Sequence, residues 1–399
     1  MNRERFPGAD GAWARLDGPA GTQMVDSAIE AMDTWMRSGR GANHGGAFAA
    51  AHATDECVEQ ARAAVGRLLG AEPENVVFGP SMTALTMRVS AAVGRTLSAG
   101  DEVVVTRLDH DANVRPWVIA AERAGATVRW AEPDRDTLAL PAAAVEAVLS
   151  ERTRWVAVTA ASNATGTVPE LDAIIAAAHT AGARISVDAV AAAPHRGLDL
   201  AALGADTLAC SSYKWYGPHI GILCGAPGLL AELVPDKLDP ASDEPPDRFE
   251  LGTLPFESLA GVTAAAEYML EVGFDAIRAH EEALLAIAAA GLARIEGVTM
   301  HGDPPDRVPT LMFNVDGHTS AEVATALAER EIAVWDGNYY ASELERFLGL
   351  DPHGAVRAGF VQYNDADDAR RLVEAVREVA EGDASATAAG AGGSQEAPA

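Results

Sequence analysis

Cysteine is scarce in this chain, and its arrangement excludes more than it suggests. Three are present, Cys57, Cys210 and Cys224, odd in number and without C-x-x-C spacing. Neither a disulfide framework nor a zinc site is suggested, and reduced core residues are expected. Positive charge is the second shortage: 30 basic residues face 58 acidic ones, for a formal net charge of -28. Such a surface repels phosphate backbones and anionic lipid, so neither nucleic acid nor a membrane is expected as a partner. No stretch reaches the ~20 apolar residues of a membrane span. Residues 1–7 lead into no apolar core of signal-peptide length, and a cytoplasmic protein is expected. There is no internal repeat.

What is present is an alternation. Short apolar runs at 76–78, 103–106, 128–131, 155–159, 185–188, 207–211 and 220–224 are separated by alanine-rich segments. Of these, 171–181 is an example with apolar residues at helical spacing and Gly182 at its end. Strand and helix in alternation predict an α/β fold with a mostly parallel seven-stranded sheet and helices on both faces. At 399 residues the chain exceeds one typical domain. The expected division is an N-terminal segment (1–15), a large domain (16–255), a smaller C-terminal α+β domain (256–380) and a disordered tail (381–399). The acidic, proline-rich stretch 239–247 reads as an exposed connection, and the Ala/Gly/Ser/Pro-rich tail shows no periodicity. In sheets of this kind the site collects at the carboxyl ends of the strands.

Two residues at such ends carry chemistry. Asp188 closes the run 185–188, and Lys214 follows the run 207–211 in the segment Ser211-Ser212-Tyr213-Lys214-Trp215-Tyr216-Gly217-Pro218. A lysine flanked by a buried strand and a Gly-Pro turn differs from the usual solvated surface lysine. The pair suits pyridoxal 5'-phosphate: lysine holds the cofactor as a Schiff base, and an aspartate keeps its pyridine nitrogen protonated, so that the ring accepts electrons. A phosphate needs amide donors and hydroxyls at a helix start, which Ser81, Met82 and Thr83 offer directly after a strand. The clustered Asp109, His110 and Asp111 are adjacent in a loop and are not expected to converge on a metal.

With these motifs in this order, the chain resembles the class V aminotransferase fold of fold-type I pyridoxal phosphate enzymes. Over about residues 16–378 it is similar to the cysteine desulfurase-like branch, which also holds selenocysteine lyases, C-S lyases and epimerases. The resemblance implies that His110, in Asp109-His110-Asp111-Ala112-Asn113, stacks on the pyridine ring and moves protons. It implies that Asn163 contacts the ring oxygen, that Ser211 adds a hydroxyl for the phosphate, and that Thr253 is lent from a neighbouring subunit of a homodimer. It further implies that Arg357 grips the substrate carboxylate, which a planar guanidinium does with two parallel hydrogen bonds. Asn43, His44, Trp215, Asn338 and Tyr339 are expected as pocket walls.

Departures from the family pattern are equally informative. Desulfurases that pass sulfur onward carry a cysteine on a mobile loop before that arginine, where this chain has Asp336-Gly337-Asn338-Tyr339-Tyr340-Ala341. Tyr213 replaces a frequent histidine and Ala191 a frequent glutamine. The expected activity is carbon-sulfur cleavage on cysteine or a cysteine conjugate without an enzyme persulfide. Transamination, epimerisation or decarboxylation on the same scaffold is the alternative. Ser211 to Lys214 also spells S-x-x-K of serine acyl-enzymes, but no S-D-N or K-T-G accompanies it. Residues 39–45, Gly39-Arg40-Gly41-Ala42-Asn43-His44-Gly45, have the wrong spacing for a dinucleotide loop.

Overall fold

A computed structural model of the protein describes residues 3–41 and 43–391. After a two-residue strand β1 (Ala14–Arg15), all seven expected strands appear: β2 (Val76–Gly79), β3 (Glu102–Thr106), β4 (Thr127–Ala131), β5 (Thr153–Thr159), β6 (Arg184–Asp188), β7 (Thr207–Ser211) and β8 (Gly221–Gly225). They form one sheet in the order β2-β8-β7-β6-β5-β3-β4. Every pairing is parallel except those of β8, which runs antiparallel to β2 and β7.

The continuous apolar runs have a packing reason. Along β3, Val104 points into one core while Val103 and Val105 enter another. Strand β5 repeats this, with Val156 and Val158 on one face and Trp155 and Ala157 on the opposite one. Successive side chains of a strand face opposite sides, so a sheet covered on both faces needs apolar residues at every position.

A second, four-stranded antiparallel sheet has the order β12-β13-β10-β9, built from β9 (Val298–Met300), β10 (Thr310–Val315), β12 (Trp335–Gly337) and β13 (Ala355–Gly359). Its core joins Leu311 and Phe313 to Leu284, Leu292, Leu372 and Val376 of the helices Phe274–Leu292 and Ala366–Ala391. Ala14 and Leu16 also pack here, and β1 pairs in parallel with β11 (Ile332–Ala333). The last helix corrects one expectation. It reaches Ala391, so residues 381–391 of the stretch read as disordered continue a helix. Alanine's helix propensity needs no amphipathic period to act. Residues 392–399 of that stretch lie outside the described residues. No helix among the described residues is long and apolar enough to cross a membrane.

Candidate active site

The carboxyl ends of the parallel strands, together with the turn after β2, enclose a cavity of about 610 Å³. It is lined by Ser81, Met82, Thr83, His110, Asn163, Asp188, Ser211, Lys214, Tyr339 and Arg357, which the sequence spreads over more than 270 positions. Each arrives there through its local structure. Ser81 caps the helix Met82–Gly94 by accepting from the amide of Ala84 at 3.1 Å, and the amide of Met82 donates to Ser211 Oγ at 3.3 Å. Gly221 of β8 lies against this turn so closely that a Cβ there would come within 2.0 Å of the Ser81 carbonyl carbon. The helix start can settle flush onto the sheet only because that position is glycine. Gly166 does the same for the Asn163 loop: its φ is +74° and Val308 O would stand 2.4 Å from a Cβ.

Lys214 is half-buried in the 3-10 turn Ser212–Lys214. Its Nζ donates to the carbonyl oxygens of Pro19 and Ala20, the latter at 2.9 Å. Burial first, and then the positive charge of Arg357, push its pKa down to about 7, against an opposing pull from Asp188. Asp188 is buried, accepts from the amide of Val190 at 2.8 Å, and is pushed up to about 6 by burial. His110 is pushed down to about 4, again by burial and then by Lys214 and Arg357. Its Nδ1 accepts from the amide of Ala112 at 3.0 Å, which assigns the proton of the neutral ring to Nε2. The neighbouring Asp109 is buried and anchors this turn through Thr106 and Asn113, the latter at 2.7 Å.

Arg357 sits on β13 with its guanidinium buried. It donates to Asn163 O at 2.8 Å and lies 4.4 Å from the centre of the Tyr339 ring. Burial pulls its pKa down to about 10, so it remains a cation at neutral pH. Asn163 Nδ2 donates to Tyr339 O at 2.9 Å, while its buried Oδ1 has no partner. Tyr339 and Tyr340 have φ of +52° and +60°, a left-handed backbone that costs a non-glycine residue ~1–3 kcal/mol. The Tyr340 ring stacks on His110 at 5.5 Å.

Several expected wall residues lie elsewhere. Trp215 is fully buried in the core and points away from the cavity, because consecutive side chains of a tight turn diverge. Asn43 and His44 are exposed on the approach to the helix Ala49–Leu69, where His44 meets the ring of Phe256 at 6.1 Å. Asn338 is exposed and supports the loop by accepting from the Tyr340 amide at 2.9 Å. Thr253 is exposed and outside this chain's cavity, and its expected role concerns a second subunit. Sequence reasoning missed Pro19 and Ala20, which act through backbone carbonyls and leave no side-chain signal. It also missed Met87, Arg115 and Trp335, which line the cavity from positions that read as ordinary surface.

The residues fit pyridoxal phosphate: a half-buried lysine whose pKa is pushed down to about 7, a buried carboxylate on the adjacent strand, an unpartnered buried amide oxygen, and a helix start cradled on a glycine. Known proteins share this fold and are similar in sequence. The class-V aminotransferase family model matches residues 14–372. A probable cysteine desulfurase of Mycolicibacterium paratuberculosis is 34% identical over 383 residues, covering 92% of this chain. This chain spans only 56% of that protein's length. Probable cysteine desulfurase 2 of Mycobacterium leprae is 32% identical over 389 residues, covering 91% of this chain and 90% of its own. The apo structure of a cysteine desulfurase from Thermococcus onnurineus superposes with a TM-score of 0.89 at 27% identity, over 95% of this chain and 97% of that one. The chain belongs to the class-V aminotransferase family, a family of generally pyridoxal phosphate-dependent enzymes.

Proposed function

We propose that the protein binds pyridoxal phosphate through Lys214 and cleaves a carbon-sulfur bond in cysteine or a cysteine conjugate, without forming an enzyme persulfide. The observation that carries this reading is a contrast. Lys214, Asp188 and Arg357 converge on one cavity, while the loop facing them presents Tyr339 and Tyr340. All three cysteines are buried, and burial pushes Cys57 up to about 11 and Cys210 to about 12. A thiol so far from ionisation is a poor nucleophile. When bound, the cofactor would supply an electron sink for charge left at the substrate's α-carbon.

Every other role falls to the chain. Arg357, held by Asn163 O and the Tyr339 ring, receives the substrate carboxylate. Asp188 is the carboxylate available to the ring nitrogen, and Ser81, Thr83 and Ser211 with the helix start would hold the phosphate. Lys214, whose surroundings favour the neutral amine, can take a proton at Nζ. His110, neutral with its proton on Nε2, would face the ring. A homodimer in which Thr253 serves the neighbouring site completes the proposal.

The test supplies cysteine, S-substituted cysteines and sulfur-free amino acids to the loaded protein, and quantifies keto acid, ammonia and thiol or sulfide. Equimolar keto acid, ammonia and thiol are expected from a cysteine conjugate. Keto acid formed without thiol, with the amino group moved to an acceptor, would replace this reading with transamination.

A further inference from the structure

Three large apolar side chains stand in solvent around the cavity that holds Lys214 and Arg357. Tyr340 is 70% exposed, Trp335 52% and Met87 41%. They come from three separate elements: the loop after β12, β12 itself, and the helix Met82–Gly94. Exposed apolar groups gathered at one place mark a binding surface far more often than the same groups scattered singly.

The loop bearing Tyr340 is also fastened. The amide of Asp111 donates to Tyr340 O at 2.7 Å, Asn163 holds Tyr339 O, and Asn338 holds the Tyr340 amide. Bonds on both sides, with the Tyr340 ring stacked on His110, make this loop a fixed wall of the cavity. Nothing in that arrangement suits a segment that must swing toward the substrate.

Geometry then divides the substrate. Its carboxylate belongs at the buried Arg357 and its α-carbon beside Lys214, so the side chain is the part left to meet the apolar rim. The side chain of cysteine is one methylene and one sulfur, too short to cover groups from three elements. We infer that the site takes an amino acid whose side chain ends in an apolar or aromatic group, recognised by Tyr340, Trp335 and Met87. This rests on the amino-acid reading above, but does not need the bond that breaks to be carbon-sulfur.

A sulfur-free pair of ligands separates the two ideas. Binding of 2-amino-5-phenylpentanoate and of 2-aminobutanoate to the pyridoxal phosphate-loaded protein is measured from the change in visible absorption. Burying a phenyl group predicts at least about tenfold tighter binding of the first. Trp335→Ala and Met87→Ala, on exposed positions of separate elements, should each shrink that ratio by about threefold or more. Equal binding of the two ligands by the wild type, or a ratio unchanged in both variants, overturns the inference. So does a Trp335→Ala protein that changes its subunit association while keeping the ratio, because the patch would then be a subunit contact. S-benzylcysteine distinguishes the failures. A confirmed preference without thiol release from it sinks the lyase reading alone, and thiol release with no preference sinks this one alone.

Discussion

Lys214 is one of only two lysines in the chain, the other being Lys237 on the far side of β8 in sequence. Borohydride reduction of the protein with pyridoxal phosphate should therefore give a single modified peptide, the one containing Lys214. Mass spectrometry should find that adduct missing in Lys214→Ala, and an adduct at Lys237 in the wild type would displace the assignment. The depressed pKa of Lys214 adds a pH prediction. A lysine attacks only when unprotonated, and this one loses its proton around pH 7, where an ordinary lysine waits for about 10.4. The rate of covalent capture by the apo protein should rise through pH 7 and level off above it, followed by stopped-flow absorbance. A rate still climbing at pH 9 would mean that the amine is solvated. Arg357 contributes to the shift, so Arg357→Leu should move the midpoint upward, separately from its loss of carboxylate binding.

At the scale of the element, the turn from β2 into the helix Met82–Gly94 depends on a residue it does not contain. Gly221→Ala would drive a methyl into the backbone of Ser81 and Met82, and the rigid strand β8 cannot yield. The expected result is a dissociation constant for pyridoxal phosphate raised about tenfold or more, with a lowered melting temperature, since displaced backbone donors no longer converge on one anion. Unchanged affinity by titration calorimetry would show that this helix start does not hold the phosphate. Elements of this kind explain what could be read in advance. The large sheet is legible because buried parallel strands are written as uninterrupted apolar runs, and Asp188 and Lys214 stand out because one charged group closes such a run and the other comes three residues after the next. Trp215 was misread because adjacency in sequence says nothing about direction within a turn. Asn43 and His44 lie outside this chain's cavity, and a short polar loop looks alike in sequence whether or not it approaches one. Pro19 and Ala20 could not be found, since a backbone carbonyl is present at every residue and only tertiary structure selects these two.

For the molecule as a whole, the three buried cysteines make the persulfide question testable without disturbing the cavity wall. A protein with Cys57→Ala, Cys210→Ala and Cys224→Ala should cleave its substrate within severalfold of the wild-type rate, while losing ~1 kcal/mol of packing at each core position. Loss of cleavage in a folded variant of one cysteine alone, with a persulfide at that thiol by mass spectrometry, would restore the desulfurase route. The three cysteines belong to the large-sheet core, and Phe6, near the start of the described residues, joins them there. Phe6 is fully buried, with its ring 5.0 Å from that of Tyr216 and 5.2 Å from that of Tyr363. The carbonyl of Ala20 meets Lys214 across 194 positions, and the amide of Gln23 meets Tyr363 across 340. These contacts have a consequence in time. During synthesis the segment around residue 20 leaves the ribosome long before its partners exist, and the strands of the large sheet can pair while it waits. Its last anchor, Tyr363, follows 340 positions later, and contacts of such long sequence separation form slowly, so competence to capture the cofactor should trail behind folding of the sheet and appear as a late, slow phase when the denatured chain is refolded.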